Sequence, residues 1–500
     1  MLASMPEALS LIFSVEGLLT LVIGTFIGIT LGALPGIGST VAVAMVLPFT
    51  LSMGQAPAIL LLLSIYAGSV YGGSVSAILI NTPGTPQSAA TCLDGYPLAL
   101  QGKAGLALGW ATCASVVGGL VSAVVLILAA PQLAAFALNF GPIETFALIL
   151  LGLTCIVSVS EGSLIKGLIS GTLGLLFAVV GGDPITGEAR FTFGQFQLLA
   201  GFDLLAVVIG VFAVSEVLIR AAAGPDAGQA MVKFSGIVLP RWVDWKGRLS
   251  GLAKSVLVGN AVGILPGTGA ATAAFISYAE ARRSARTRDN FGKGEPDGII
   301  ASEAANNSVT GGALVPTMAL GIPGDAITAV MLATLTLHGI TPGVRLMADN
   351  PVLMGAIFSG FFFINLLLLP LGLLFGKIAA PLLRLPETVM LVMIIFLSVV
   401  GVYFVRGNPF DLFVMAAAGF LGFILRRNGY PVAPLVIGMV LGPTLELSLR
   451  QGLIITNGDF LKFFTQHPIA LFLAILAVLM LSLPLLRYVK NKKSPIKNSH

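Results

Sequence analysis

The chain has 500 residues, 56% of them apolar and only 10% charged, where a soluble domain carries about a quarter charged residues. With a mean hydropathy of +0.98 this is the composition of a membrane protein, and at roughly 20 residues per span the length excludes a single-span receptor. The 27 Lys and Arg exceed the 22 Asp and Glu by only five, with no basic cluster interleaved with aromatics, which excludes nucleic-acid binding.

The first residues, MLASMPEALSLIF, carry no Lys or Arg ahead of the first apolar run, so a cleavable signal is not expected and that segment should stay in the mature protein. Residues 10–50 hold an apolar stretch interrupted by LPGIG, and 58–92 a crossing broken at TPGTP. Apolar spans follow at 105–130, 141–159, 164–182 and 203–220. After a polar loop, 220–254, comes a second interrupted stretch at 251–278 containing LPGTG, a polar insertion at 280–298, and a second broken crossing at 301–338. Spans at 353–376, 387–405, 411–425 and 431–448 and an additional one at 466–487 close the chain. The 60 Gly and 28 Pro fall inside apolar runs rather than in linkers, so they interrupt spans. Cys92, Cys113 and Cys155 sit singly with no CxxC spacing and read as packing residues.

The chain also repeats itself. GALPGIGSTVAVA at 32–44 returns as GILPGTGAATAAF at 263–275, and GGSVSAILINTPGTPQSAA from Gly72 as GGALVPTMALGIPGDAITA from Gly311, with one extra residue before the second Pro-Gly. Two halves are expected, 1–231 and 232–500, each with a hairpin (10–50; 251–278), a broken helix (58–92; 301–338) and four spans, the second half carrying the additional C-terminal span.

Charge orients them, because cytoplasmic loops collect Lys and Arg. If 220–254 is cytoplasmic, alternation places 22 of the 27 basic residues on that side, leaving Arg190, Arg345, Arg406, Arg450 and Lys462 outside. Loops 220–254, around Lys233, and 279–300, around Arg286, are then both cytoplasmic, so the LPGTG segment enters and leaves on one side as a re-entrant hairpin. The LPGIG copy begins and ends outside. The expected fold is therefore an all-α polytopic integral membrane protein of about 11 to 12 transmembrane segments, built from two inverted repeats, each with a re-entrant hairpin and a Gly/Pro-broken helix. That is the pattern of secondary transporters, whose ligands sit where backbone is unwound.

A Pro-Gly pair breaks a helix and frees backbone groups that lipid cannot satisfy. The breaks at Pro35-Gly36, Pro83-Gly84, Pro266-Gly267 and Pro323-Gly324 are accordingly the candidate site, with Ser39, Thr40, Asn81, Thr82, Thr85, Thr268, Asn306, Asn307, Ser308 and Asp325 beside them. Taken singly, each could serve as a kink or an interhelical hydrogen bond; recurrence in four symmetric places favours a site. These residues are mostly neutral, which suits Na⁺ as coupling ion and amide or hydroxyl contacts to a carboxylate, assisted by half-helix N-termini. A proton relay would show ionisable groups in the spans, and Glu16, Glu144, Glu216 and His338 are the ones placed near or within them; Asp325 is the residue that could shift the balance. The Gly72-Gly73 and Gly311-Gly312 pairs read as points of close helix approach, and LPRWVDWKGR at 239–248 as an interfacial element at the membrane lipid. There is no metal-binding, nucleophile or nucleotide-binding motif, so neither enzyme, ATP-driven pump nor tightly bound cofactor is expected.

GALPGIGSTVAVAMVLP, YGGSVSAILINTPGTPQSAATCLDGYPLALQGKAGLALG and NNSVTGGALVPTMALGIPGDAITAVMLATLTLHGITPG resemble the large membrane subunit of the tripartite tricarboxylate transporters over nearly the whole chain. The resemblance implies a bacterial inner-membrane secondary transporter that receives a tricarboxylate or other organic carboxylate, citrate among the cargoes, from a periplasmic binding protein. It further implies a small four-span membrane subunit as partner, an ion gradient, commonly Na⁺, as drive, and an elevator-like movement of the hairpin-bearing core. The alternatives are proton coupling and, with less support because the spans lack a polar lining, a channel-like permease.

Overall fold

The computed structural model describes residues 4–492, except 36, 160–163, 184, 224–231, 233, 235, 268, 286–287, 379–382 and 384–385; the side chains of 155–159, 387, 405 and 483–492 also stand outside the description. Gly36, Thr268, Lys233, Arg286 and the Cys155 side chain of the sequence reading therefore lie outside the described residues. The helices run, in chain order, α1 (Met5–Ile12), α2 (Val15–Ala33), α3 (Gly38–Thr50), α4 (Gln55–Ile80), α5 (Ala89–Leu98), α6 (Ala104–Ala137), α7 (Pro142–Val159), α8 (Leu164–Ala178), α9 (Leu204–Ile209) and α10 (Ser215–Ala223). The second half supplies α11 (Leu249–Ile264), α12 (Ala270–Ser284), α13 (Pro296–Leu320), α14 (Ala326–Leu337), α15 (Leu346–Asp349), α16 (Pro351–Phe375), α17 (Glu387–Arg406), α18 (Pro409–Arg427), α19 (Ala433–Ile455), α20 (Lys462–Thr465) and α21 (Pro468–Lys492). A two-stranded ribbon, Gly181–Gly182 against Ala189–Arg190, is the sheet among the described residues.

Among the described residues, seven continuous helical stretches are long and apolar enough to cross a membrane, two of them, Pro86–Ala137 and Leu204–Ala223, spanning more than one of these helices. The chain is an all-α polytopic membrane protein. α13 is not among the seven, although it has 25 residues and is buried along almost its whole length. Its interior, SEAANNSVTGG, is small and polar because its neighbours are protein and not lipid, and such a helix has no need of apolar side chains on every face.

The helices cluster into two compact units. Residues 1–137 and 205–423 form the larger and contain both interrupted stretches and both broken crossings. Here α2 packs on α4 and α11 on α13 through matching glycines. A Cβ on Gly28 or Gly32 would overlap the backbone of Ile65 or Ser69, and one on Gly259 or Gly263 that of Ala305 or Val309. Close backbone approach of this kind is how helices associate without a hydrophobic driving force between them. It also fixes direction: contacts climb α2 and α4 together, and α11 and α13 together, so each hairpin opens at the end where its broken crossing begins.

Those ends differ. Gln55, starting α4, donates to the His338 carbonyl just past α14, 3.1 Å away. At the other end, Gln101 donates to the Lys293 carbonyl at 2.7 Å, and Arg248 pairs with Glu295 at 3.1 Å and Asp297 at 2.5 Å at the start of α13. The α4–α5 crossing thus runs opposite to α13–α14, and among the described residues Arg248, Lys293 and Glu295 lie at the same end. Trp245 of LPRWVDWKGR packs edge-on against Trp110 at 4.8 Å, while Trp242 is exposed.

Residues 138–204 and 424–500 form the second unit. α19 lies along α8, where Gly174 approaches the Leu435 backbone. Arg190 and Arg450 bind Glu446 and Asp183, and His467 Nδ1 lies 2.7 Å from Glu144, which also accepts the Gly141 N–H. Glu144 is thereby accounted for as a helix-start residue held by a histidine.

Candidate functional site

Both broken crossings are built by one device. α4 ends at Asn81, whose φ of 53° is left-handed, and α13 ends at Gly321, with φ 71°. Only glycine and, at modest cost, asparagine adopt this conformation readily, which is why these residue types close the two helices. Four residues on, Thr85 caps the turn Pro86–Ser88 and Asp325 caps α14, each in a capping box, with Ser88 and Thr328 respectively. Asn81 matches Gly321, Thr85 matches Asp325, Ser88 matches Thr328, and Gly72 matches Gly312, which both face the first arm of their own hairpin. Every pair is 240 residues apart. The extra residue expected in the second copy therefore vanishes: Gly72 is equivalent to Gly312 rather than Gly311, and Gly311 packs instead against Ser122 of α6.

The breaks meet the hairpin tips. A Cβ on Gly84 would overlap the Gly32 carbonyl oxygen, and the Gly267 N–H donates to the Gly324 carbonyl at 2.7 Å. Each hairpin then reaches across to the other repeat, α3 packing on α14 and α12 on the turn Pro86–Ser88 and on α5. Pro35 and Pro266 stand at these tips, half-buried, and Pro83 and Pro323 lead into the breaks.

The polar residues fall into two groups. Several are occupied by the fold: Thr82 donates to the Ile80 carbonyl at 3.2 Å, Asn307 Nδ2 to that of Glu303 at 3.0 Å, and Ser308 to that of Gly118 at 3.1 Å. Asp325 Oδ1 accepts the Thr328 N–H at 2.8 Å while Oδ2 accepts the Tyr66 hydroxyl at 2.7 Å. Others are unspent. Ser39 Oγ and both amide atoms of Asn306 are buried without a hydrogen-bond partner among the described residues, and Thr40 is half-buried beside Ser39. By the 240-residue offset Asn306 takes the place of Tyr66, and Thr85 that of Asp325.

Two acids escaped the sequence reading. Asp94, on α5, accepts the backbone N–H groups of Gly292, Gly294 and Glu295 at 2.8 to 2.9 Å and the Tyr278 hydroxyl at 2.9 Å, fastening the loop between α12 and α13. Glu303, on α13, is fully buried; Thr91 donates to its Oε1 and Ser115 to its Oε2, the latter at 3.0 Å. Glu303 lies within the expected crossing at 301–338 but far in sequence from the Pro-Gly breaks that mark the candidate site.

Two capped breaks, each beside its own helix pair and running in opposite directions, are the kind of feature found in membrane transporters. The chain belongs to the tripartite tricarboxylate transporter TctA family, whose model matches residues 18–437, and it is accordingly a membrane subunit of a transporter made of several subunits. It is 36% identical over 474 residues, 95% of this chain and 94% of the relative, to an uncharacterised 52.8 kDa protein of the TAR-I ttuC′ 3′ region of Agrobacterium vitis. An uncharacterised protein of the TAR-II ttuC′ 3′ region of the same organism is 34% identical over 238 residues, 48% of this chain and 98% of that protein. No solved structure matches.

Proposed function

We propose that the chain imports a tricarboxylate or other organic carboxylate across the bacterial inner membrane by symport with Na⁺. In this reading a periplasmic binding protein delivers the substrate and a small four-span membrane subunit completes the assembly. The repeats 1–231 and 232–500 supply equivalent halves of one site, in which Ser39, Thr40, Asn81, Thr82, Thr85, Thr268, Asn306, Asn307, Ser308 and Asp325 surround the breaks. The unspent amide of Asn306 is the observation that carries the reading. A fully buried amide with no protein partner is costly, and its oxygen can coordinate a cation while its nitrogen holds a carboxylate. The larger compact unit holds every one of these elements, so it is the body that carries substrate in an elevator-like movement.

Reconstituted vesicles supplied with the binding protein and labelled citrate test it. Uptake should need an inward Na⁺ gradient; full uptake without Na⁺, driven by a proton gradient alone, would remove Na⁺ from the mechanism.

A further inference from the structure

Glu303 is a carboxyl at the centre of the larger unit, fully buried on α13, and no described Lys, Arg or His lies within salt-bridge distance of it. Its immediate surroundings are hydroxyls: Thr91 of α5 against Oε1, Ser115 of α6 3.0 Å from Oε2, and Ser302 3.1 Å from Thr91. Ser302 Oγ in turn lies 3.0 Å from the Gly298 carbonyl. Among the described residues, the titratable side chains on which the charge of Glu303 bears are Tyr71 on α4 and Cys92 on α5, and neither is a cation. The repeat shows that the fold does not require this carboxyl. At the equivalent positions 240 residues earlier stand Leu63 for Glu303 and Leu62 for Ser302, and Thr91 corresponds to Met331, each of them buried.

Each hydroxyl has one proton to give, so the chain of contacts has two consistent directions. With the carboxyl ionised, Ser302 donates to Thr91, Thr91 to Oε1 and Ser115 to Oε2. With a proton on Oε1, Glu303 donates to Thr91, Thr91 to Ser302, and Ser302 to the Gly298 carbonyl. The switch needs rotation of hydroxyl hydrogens and no movement of heavy atoms. A buried ionised carboxylate demands a compensating cation or a full set of donors, and the side-chain partners of Glu303 are hydroxyls, which can either give or take a hydrogen-bond proton. The cation that fits is a proton.

We propose that Glu303, relayed through Thr91 and Ser302 and steadied by Ser115, is a proton-binding site whose carboxylate gains one proton and releases it once in each transport cycle. This rests on the transport reading above but is independent of whether Na⁺ is carried as well. Because Thr91 lies on the segment that follows the first break and Glu303 on the helix that precedes the second, protonation would govern a contact between the two repeats.

Infrared difference spectroscopy on the purified full chain, titrated from acid to alkaline pH, reads the site without transport. The carbonyl band of a buried protonated carboxyl should disappear on deprotonation in the wild type and be missing in Glu303→Gln. Thr91→Val keeps the carboxyl and cuts the relay, so it should shift the midpoint of that band, and it carries the test if the Gln variant does not fold. In vesicles with binding protein and citrate, wild-type net uptake should change by about tenfold per pH unit along one limb of its profile, as a single proton requires, and Glu303→Gln should lose that dependence whatever its rate. An identical infrared titration in wild type and Glu303→Gln, or an unshifted band in Thr91→Val, overturns the site. Absence of any citrate uptake by the wild type would instead overturn the transport reading, and the infrared result would still decide Glu303.

Discussion

Asn81 shows how one residue type can answer to backbone geometry as well as to a ligand. Its side chain marks the first break, but its left-handed backbone explains the residue type without any ligand, and its counterpart is a glycine. Asn81→Gly should therefore leave thermal stability in detergent nearly unchanged, whereas Asn81→Val should lose roughly 1 to 2 kcal/mol through backbone strain. Normal abundance of Asn81→Gly with uptake lost would show that the amide touches substrate after all. Asn306 is the opposite case, since none of the described residues bonds to its amide. Asn306→Ala should keep membrane abundance while weakening apparent substrate or ion affinity, by about 1 to 3 kcal/mol or roughly 5- to 150-fold if a bound partner loses its contact; unchanged uptake and Na⁺ dependence would make the residue packing. What sequence could not reveal at this scale is which polar groups the fold consumes. Ser308 and Asn307 look like Asn306 in the sequence, and only their reach to the Gly118 and Glu303 carbonyls separates them.

At the scale of elements, the hairpins and broken helices were legible because Pro and Gly act on backbone geometry directly. The expected hairpins 10–50 and 251–278 correspond to α2 with α3 and α11 with α12, and the broken crossings to α4 with α5 and α13 with α14. The one-residue slip between Gly72 and Gly311 arose from matching Gly-Gly letters, where the packing contacts and caps set the register. Small residues hold the hairpins in place, and position decides their tolerance. Gly263→Leu drives a side chain into the backbone of α13 and should cost about 1 to 3 kcal/mol or more, read as lost abundance. Gly251→Leu, on the same helix with open space around it, should be neutral or gain up to about 1 kcal/mol of helix propensity. Equal losses at both would mean that α11 does not depend on its contact with α13.

For the whole molecule, contacts reach one point that hydropathy cannot. α13 escapes a hydropathy criterion because protein surrounds it, yet its start is tied to Arg248 and its neighbour Lys293 to Gln101, which puts two basic loops at one end. Lys246→Cys and Lys293→Cys, both at exposed positions, should react with a membrane-permeant maleimide and resist an impermeant one added to intact cells in a cysteine-free background. Labelling of either from outside would undo the inversion of the repeats. The division into two compact units was not legible, since it joins α7 and α8 of one half to α19 and α21 of the other and follows contacts distant in sequence.

The caps at the two breaks have a thermodynamic consequence. Thr85 and Asp325 hold equivalent places, as do Asn306 and Tyr66, but Asp325 is bonded to the Tyr66 phenol whereas the Asn306 amide has no hydrogen-bond partner among the described residues. In a molecule built from identical halves, turning from one face of the membrane to the other would exchange like for like, and the two orientations would have equal energy when empty. Here the exchange brings an aspartate cap where a threonine cap stood. On the transport reading proposed above, the empty carrier then has a preferred face before any substrate or ion arrives.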